Sequence, residues 1–383
     1  MKRTPRIVDG MARIGARQWA GLDTRDNPFL AWPFLHSLEA SGSVAADNGW
    51  QPHHLCLYEN DELVAAAPAY IKSHSRGEFV FDWAWADAYH RSGLEYYPKL
   101  LSAVPWTPVS GPRLLVAKDH PEPEGLRKAL IDFALSRCEA LGLSSWHCNF
   151  IHETDLGAFG ESSLLTRRDC QFHWHNRGYG GFDDFLTTLK SKKRKNIRQE
   201  RRNVAEAGIR FERRPGREFT PEDIAFIHLC YRRTFHAHGN HPALGLDCFQ
   251  MLAETIPESM LAVIAYLGET PLAMSLYFSG GGTLYGRYWG TLQDVPGLHF
   301  ETAYYQGIEY CIEHGLERFE SGAQGEHKIA RGFEPVKTRS FHYIAHEGFR
   351  AAIAHYLERE AEWLDDYHGE IARHEPFRLA SRG

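Results

Sequence analysis

Near the end of the chain the segment SGAQGEHKIARGF (321–333) gathers Gln324, Glu326, His327, Lys328 and Arg331 between glycines. It follows a short run, ERFES, that reads as a strand carrying Glu320 at its end. Acyl transfer to an amine needs a group to take or relay the amine proton, and a donor for the oxyanion of the tetrahedral intermediate. Glu326 or His327 suits the first task, Lys328 the second, and Glu320 can orient an amine. His327 and Arg331 can also contact a substrate. A solvated loop held by surface ion pairs would use the same residue types.

Other segments offer binding chemistry. LYGRYWG (284–290) alternates Tyr285, Arg287 and Trp289, which the two-residue period of a strand puts on one face. An aromatic–Arg–aromatic face suits an acceptor with sugar or carboxylate groups; sheet packing is the plainer use. DWAWADAYH (82–90) brings Asp82, Trp83 and Asp87 close in sequence, the composition of a pocket wall or of a small core. SKKRKNIRQERR (191–202) holds seven Lys or Arg and one Glu. Read as the middle of one helix ending near Gly208, it has a thin apolar stripe (Leu189, Ile197, Val204) and a wide basic face. That stripe is too poor for a membrane-surface helix. A phosphate-bearing ligand on Lys192, Lys193, Arg194, Lys195 and Arg198 remains, beside the ordinary solvated face. The histidines of HWH (173–175) and FHAHGNH (235–241) lack an H-E-x-x-H helix or cysteine partners, so no metal ion is expected.

Elements that must position these residues recur. In 126–149 and in 299–322 a helix with apolar positions at 3–4 spacing ends at a glycine, Gly142 or Gly315, and a short strand follows. Upstream of each, 55–71 and 262–278 read as strand, tight turn, strand. Such internal repetition points to two copies of one domain. The expected domains are 1–178, with an aromatic-rich insertion at 72–125, then 179–349, opened by the basic helix. A helix near 350–372 and a tail complete the chain to residue 383. The expected class is α/β of the α+β kind, with helices packed on mostly antiparallel mixed sheets.

Composition narrows the function classes. A length of 383 residues suits two domains. A formal net charge of −6 argues against a protein that coats DNA. No run approaches 18 apolar residues, so no membrane span is expected. The start, MKRTPRIVDGMARIG, has no apolar stretch of a signal peptide. Seven cysteines without a C-x-x-C pair read as reduced thiols of a cytoplasmic protein.

Together these motifs resemble the FemAB-like branch of the GNAT acyltransferase superfamily, and more closely its bacterial peptidoglycan biosynthesis/recognition group. NPFLAWPFLHSLEASGSV (27–44), the aromatic stretch 81–115, the basic stretch 191–202 and FESGAQGEHKIARGFEPVKT (319–338) carry the resemblance over nearly the whole chain. It implies two GNAT-like domains in tandem, with the acyl group meeting its acceptor where the second sheet splays, near Glu320. The family's Phe-Lys, followed by Gly-Phe, reads HKIARGF here: Lys328 matches the lysine, and His327 stands where Phe is expected. The simple GNAT pyrophosphate signature is replaced by QDVPGLHF (293–300). The implied activity is transfer of an acyl or aminoacyl group, from acyl-CoA or aminoacyl-tRNA, to an amine of a muropeptide-like cell-wall precursor. The alternative is a non-catalytic recognition protein for an anionic nucleotide- or sugar-linked ligand. Transfer RNA is a partner under the first reading; neither DNA nor membrane insertion is expected.

Overall fold

The structure is a computed structural model that describes residues 3–160, 162–322, 325–373 and 376–378, so Gln324 lies outside the described residues. The chain divides into two compact units: Met1–Asp169 with Lys337–Asp366, and Cys170–Val336 with Tyr367–Gly383. The chain crosses between them at 169/170, 336/337 and 366/367, beside the sequence-based boundaries at 178 and 349.

In the first unit, β1 (Arg3–Val8) pairs with β3 (His54–Glu59), which forms a hairpin with β4 (Glu62–Ala67). Asn60 and Asp61, both with positive φ (50° and 63°), make the two-residue turn whose twist matches the strands. Two short strands, β2 (Trp50–Pro52) and β5 (Tyr70–Lys72), extend the hairpin's arms into a second sheet. There β5 meets β6 (Lys99–Ser102), while β7 (Leu115–Val116) flanks β4. β6 runs parallel to β8 (Ser145–Cys148), so the aromatic-rich segment expected as an insertion supplies a strand of this sheet. The end of the late strand Glu334–Ile344 covers the other edge of β8. Helix Pro123–Leu141 buries Leu126, Leu130, Ile131, Ala134 and Cys138 at the expected spacing. It stops at Gly142, whose φ of 62° places it in the left-handed region. Its buried face joins Leu55, Leu100, Trp146 and Phe341 in one core.

The second unit is a six-stranded sheet in the order β10 (Ile209–Pro215), β11 (Met260–Leu267), β12 (Thr270–Gly280), β13 (Thr283–Thr291), β14 (Arg318–Glu320), β9 (Leu165–His175, through its last residues). All neighbours are antiparallel except β13 and β14. Helices Pro221–Ala237 and Leu246–Thr255 pack on one face, where Tyr231 and Phe249 meet Tyr288 with ring centroids 4.8 and 5.9 Å apart. A helix over 298–313 covers the other face, with a π-helical turn at Glu301–Tyr305. There the Tyr277 hydroxyl donates to the Thr302 carbonyl.

The basic stretch departs from the expected single helix. Phe182–Thr188 and Ser191–Glu206 are separate helices, because Leu189 is extended (φ −83°, ψ 151°), fully buried, and bridged to Phe377. Lys190 donates its N–H to the Pro376 carbonyl at 2.7 Å, which the helix would otherwise have used internally. The terminal helix runs Glu347–Arg373. No helix among the described residues is long and apolar enough to cross a membrane.

Candidate active site

β13 and β14 pair over three residues, Thr283–Tyr285 with Arg318–Glu320, although β13 runs on to Thr291. Glu320 therefore stands where the parallel pairing ends. It lies in a cross-strand row with Tyr285 on one side and His173 of β9 on the other. Its carboxylate is 5% exposed; Oε1 sits 3.0 Å from Arg318 Nε, and Oε2 is 3.9 Å from His173 Nε2. Oε2 has no hydrogen-bond partner among the described residues. Burial pushes this carboxyl up to about 7, against the pull of Arg318. Burial likewise drives His173 well below its ordinary range, and the charges of Arg318, His175 and Lys328 add to the effect. His173 Nε2 faces Gln171 Oε1 at 3.2 Å, consistent with a neutral ring that donates there.

Lys328 lies in a short 3-10 segment, Glu326–Arg331, ended by Gly332. A Cβ on Gly332 would stand 2.7 Å from the Phe185 ring at a φ of 89°, so only glycine closes this turn. The lysine is 1% exposed, and its Nζ donates to the Gly322 carbonyl at 2.9 Å. Among the described residues it forms no ion pair, and burial alone pushes it down to about 7. A ring cluster lies beside it. Tyr304 OH and His327 Nε2 are 2.9 Å apart, and the His299 ring lies tilted beside Trp289 (centroids 4.6 Å apart) and Tyr304 (5.3 Å). Burial, with the charges of His327, Arg331 and Lys328, pushes His299 down to about 4. His327 is lowered as well, by burial first and then by Arg331 and Lys328.

The remaining sequence candidates scatter. Glu326 is exposed and accepts from the Tyr367 hydroxyl at 2.7 Å, away from Lys328's buried amine. Arg331 is 7% exposed and turned inward: Nη2 pairs with Glu200 at 2.7 Å and Nη1 donates to the His327 carbonyl at 2.8 Å. Tyr285, Arg287 and Trp289 do not share a face. The register steps from Tyr277↔Gly286 to Leu276↔Tyr288, so Arg287 is an extra residue in β13. That bulge reverses the alternation. Tyr285 and Tyr288 share one face with Phe278 and Leu276, while Trp289 joins Tyr277 on the other, toward His299.

Asp82, Trp83 and Asp87 also part company in the first unit, where 83–91 is a helix. Asp82 is buried and takes both the Lys99 ammonium and the Tyr96 hydroxyl. Trp83 is 47% exposed, and Asp87 pairs with Arg91 at 3.1 Å on the helix surface. On the basic helix, Arg198 pairs with Asp183 at 2.9 Å and Arg201 with Glu301 and Glu309 at 3.0 and 2.8 Å. Lys192, Lys193, Arg194 and Lys195 form no ion pair among the described residues, which leaves them open to an anion. No group of three His, Cys, Asp or Glu among the described residues could hold a metal ion.

Sequence reading weighed His173 only as a metal ligand, and missed His299, Tyr304 and Glu200. His173 reaches Glu320 through strand register, and His299 meets Tyr304 beside a π-turn; neither leaves a local pattern. Glu200 carried a signal: a lone acid in a basic run.

Solved structures share this architecture. FemX matches with a TM-score of 0.53 at 12% identity, covering 92% of this chain and all of its own (100%). The C-terminal domain of a putative lysylphosphatidylglycerol synthetase from Agrobacterium fabrum matches with a TM-score of 0.52 at 11% identity, over 88% of this chain and 94% of that one. A conserved protein of unknown function from Bacteroides thetaiotaomicron VPI-5482 gives 0.50 at 11% identity, over 88% and 99%. At these identities the likeness concerns the fold alone, a mixed α/β architecture with mostly antiparallel sheets. Among curated proteins none matches the chain. The sequence profile described as FemAB-like, peptidoglycan biosynthesis/recognition, matches residues 10–379, and the chain belongs to that family.

Proposed function

We propose that the protein is a transferase that moves an acyl or aminoacyl group from an activated donor onto an amine, with a cell-wall precursor as the acceptor. The amine nitrogen attacks the acyl carbon, the carbonyl oxygen becomes an oxyanion, and the bond to the donor's sulfur or oxygen breaks. The amine must lose a proton and the leaving group must gain one. Glu320, with its unpartnered Oε2 and a carboxyl near 7, is matched to accept the first. Lys328 is matched to hold the oxyanion and then protonate the leaving group, because burial weakens its grip on the proton. The observation that carries this reading is Lys328 itself, a buried ammonium with one carbonyl partner and no carboxylate among the described residues.

Aminoacyl-tRNA is the donor the geometry favours over acyl-CoA. A helix start attracts a pyrophosphate when glycines let it approach. Here the first turn of 298–313 is packed against the basic helix: a Cβ on Gly297 would lie 3.3 Å from the Glu200 carbonyl and from Val204. The Lys192–Lys195 cluster, which forms no ion pair among the described residues, supplies the phosphate-attracting surface instead.

The test is a mass measurement. The protein is incubated with a UDP-linked muropeptide and either alanyl- or seryl-tRNA or acetyl-CoA, and the acceptor's mass gain is followed. Lys328→Met is expected to lower turnover on the order of 100–1000-fold, about 2.7–4 kcal/mol, while the fold survives. Lys328→Arg restores only part of it, since its donors sit differently. No mass gain with any donor turns the reading to a recognition protein; a Lys328→Met variant as fast as the parent removes the lysine from the mechanism.

A further inference from the structure

Glu200 is the one acidic residue among the seven Lys and Arg of 191–202. It does not serve the helix that carries it. Its neighbours at three and four residues are Asn196, Ile197, Asn203 and Val204, so no basic partner lies within the reach of a helix ion pair. Both carboxylate oxygens are taken from outside instead. Oε1 accepts from Arg331 Nη2 at 2.7 Å, and Oε2 accepts from the Tyr305 hydroxyl.

Arg331 carries the connection onward. Its Nη1 donates at 2.8 Å to the His327 carbonyl, half of the peptide bond whose nitrogen belongs to Lys328, and its guanidinium lies 3.4 Å over the Phe300 ring. Tyr305 closes the π-helical turn, a feature that re-aims side chains within a helix. One carboxylate therefore ties the basic helix, the π-turn and the 3-10 segment together.

We infer that Glu200 and Arg331 are positioning residues for Lys328, an assignment that rests on the proposed role of that lysine. Lys328's own backbone depends on the segment staying wound: its N–H donates to the Gly325 carbonyl at 3.0 Å, and its carbonyl accepts from Phe333 at 3.2 Å. A bidentate-capable guanidinium held by a carboxylate is a stiff anchor for such a turn. Without Glu200, Arg331 is left as a nearly buried cation with no counter-charge, and it must turn toward water. The His327 carbonyl then loses its donor.

The full chain is compared with Glu200→Gln and Tyr305→Phe by amide hydrogen exchange, melting curves and the transfer assay. Glu200→Gln is expected to speed exchange of the Lys328 and Phe333 amides at least about tenfold, with Tyr305→Phe intermediate. In the transfer assay Glu200→Gln is expected to lower kcat about tenfold or more with KM within a factor of about two, the signature of a displaced reacting group rather than lost binding. Unchanged exchange at these amides overturns the inference, and so does faster exchange with unchanged kcat. If no donor–acceptor pair turns over, the transferase reading fails, and exchange alone decides whether Glu200 anchors the segment. Should Glu200→Gln not fold, Tyr305→Phe, which keeps the ring and removes one hydrogen bond, carries the same comparison.

Discussion

Lys328 and Glu320 are each buried in surroundings that disfavour their charged forms, so their functional fitness should oppose their stability. For Lys328 the folded value, about 7, lies below the ordinary 10.5. A depressed base contributes stability that is present above the unfolded value and is lost as pH falls through the folded one. Lys328→Met is therefore expected to melt higher than the parent at about pH 6, with the gap closing toward about pH 10. Glu320 has the opposite window, because its folded value of about 7 lies above 4.5. Its stability is present below the unfolded value and lost as pH rises through the folded one, so Glu320→Gln should match the parent near pH 4 and exceed it near pH 8. Melting temperatures across a pH series check both. A parent that stays more stable than Lys328→Met at about pH 6 would mean that the ammonium is well solvated in place. The sequence displayed the types of these residues, but their burial depends on Phe185, Phe333 and strand register far away in the chain.

At the scale of elements, the basic helix is the clearest case of a face with a separate inside and outside. Inward it offers Ile197, Val204, Glu200 and Arg201, all engaged by packing or ion pairs. Its first turn leaves Lys192, Lys193, Arg194 and Lys195 without carboxylates among the described residues. Changing all four to Gln is expected to weaken binding of tRNA, with the loss greatest at low salt, since exposed charges are screened within about 8–10 Å at physiological ionic strength. The slope of log affinity against log salt should fall in proportion to the phosphate contacts removed. Filter binding over a salt series measures it; identical slopes for parent and variant return the four residues to a solvated face. β13 shows the other limit of element-level reading. Its composition announced a strand correctly, but one bulged residue, Arg287, put Trp289 on the face opposite Tyr285.

Across the whole molecule, neither unit is one continuous stretch of chain. Lys337–Asp366 returns to the first unit, and Tyr367 onward joins the second. A fragment ending at Gly178 therefore lacks Phe341–Ile344, which pair with Ser145–Cys148, and lacks Phe341 from the first core. Such a fragment is expected not to give a cooperative melt or a dispersed amide NMR spectrum, because β8 would be left an open edge over an incomplete core. A folded, cooperative 1–178 fragment would show that the returning strand is dispensable. The offset of 173 that aligns Cys138 with Cys311 also aligns His147 with Glu320. Each faces a histidine across an antiparallel neighbour, His342 or His173.

Local chemistry in the sequence determined the hairpin turns, the helices with their glycine stops, the mixed mostly antiparallel class and the segment that carries Lys328. Those features depend on neighbours within a few residues, through φ preferences, apolar spacing and turn residues, and such terms are written along the chain. Tertiary structure alone decided which candidates meet. Glu320 finds His173 by strand pairing across 147 residues of chain, and Glu200 finds Arg331 across 131. It also dispersed Asp82, Trp83 and Asp87, and turned Arg331 inward onto Glu200 and the His327 carbonyl. The reason is physical: a buried charge is fixed by whatever distant group compensates it, and by the register and packing that bring that group within hydrogen-bond reach.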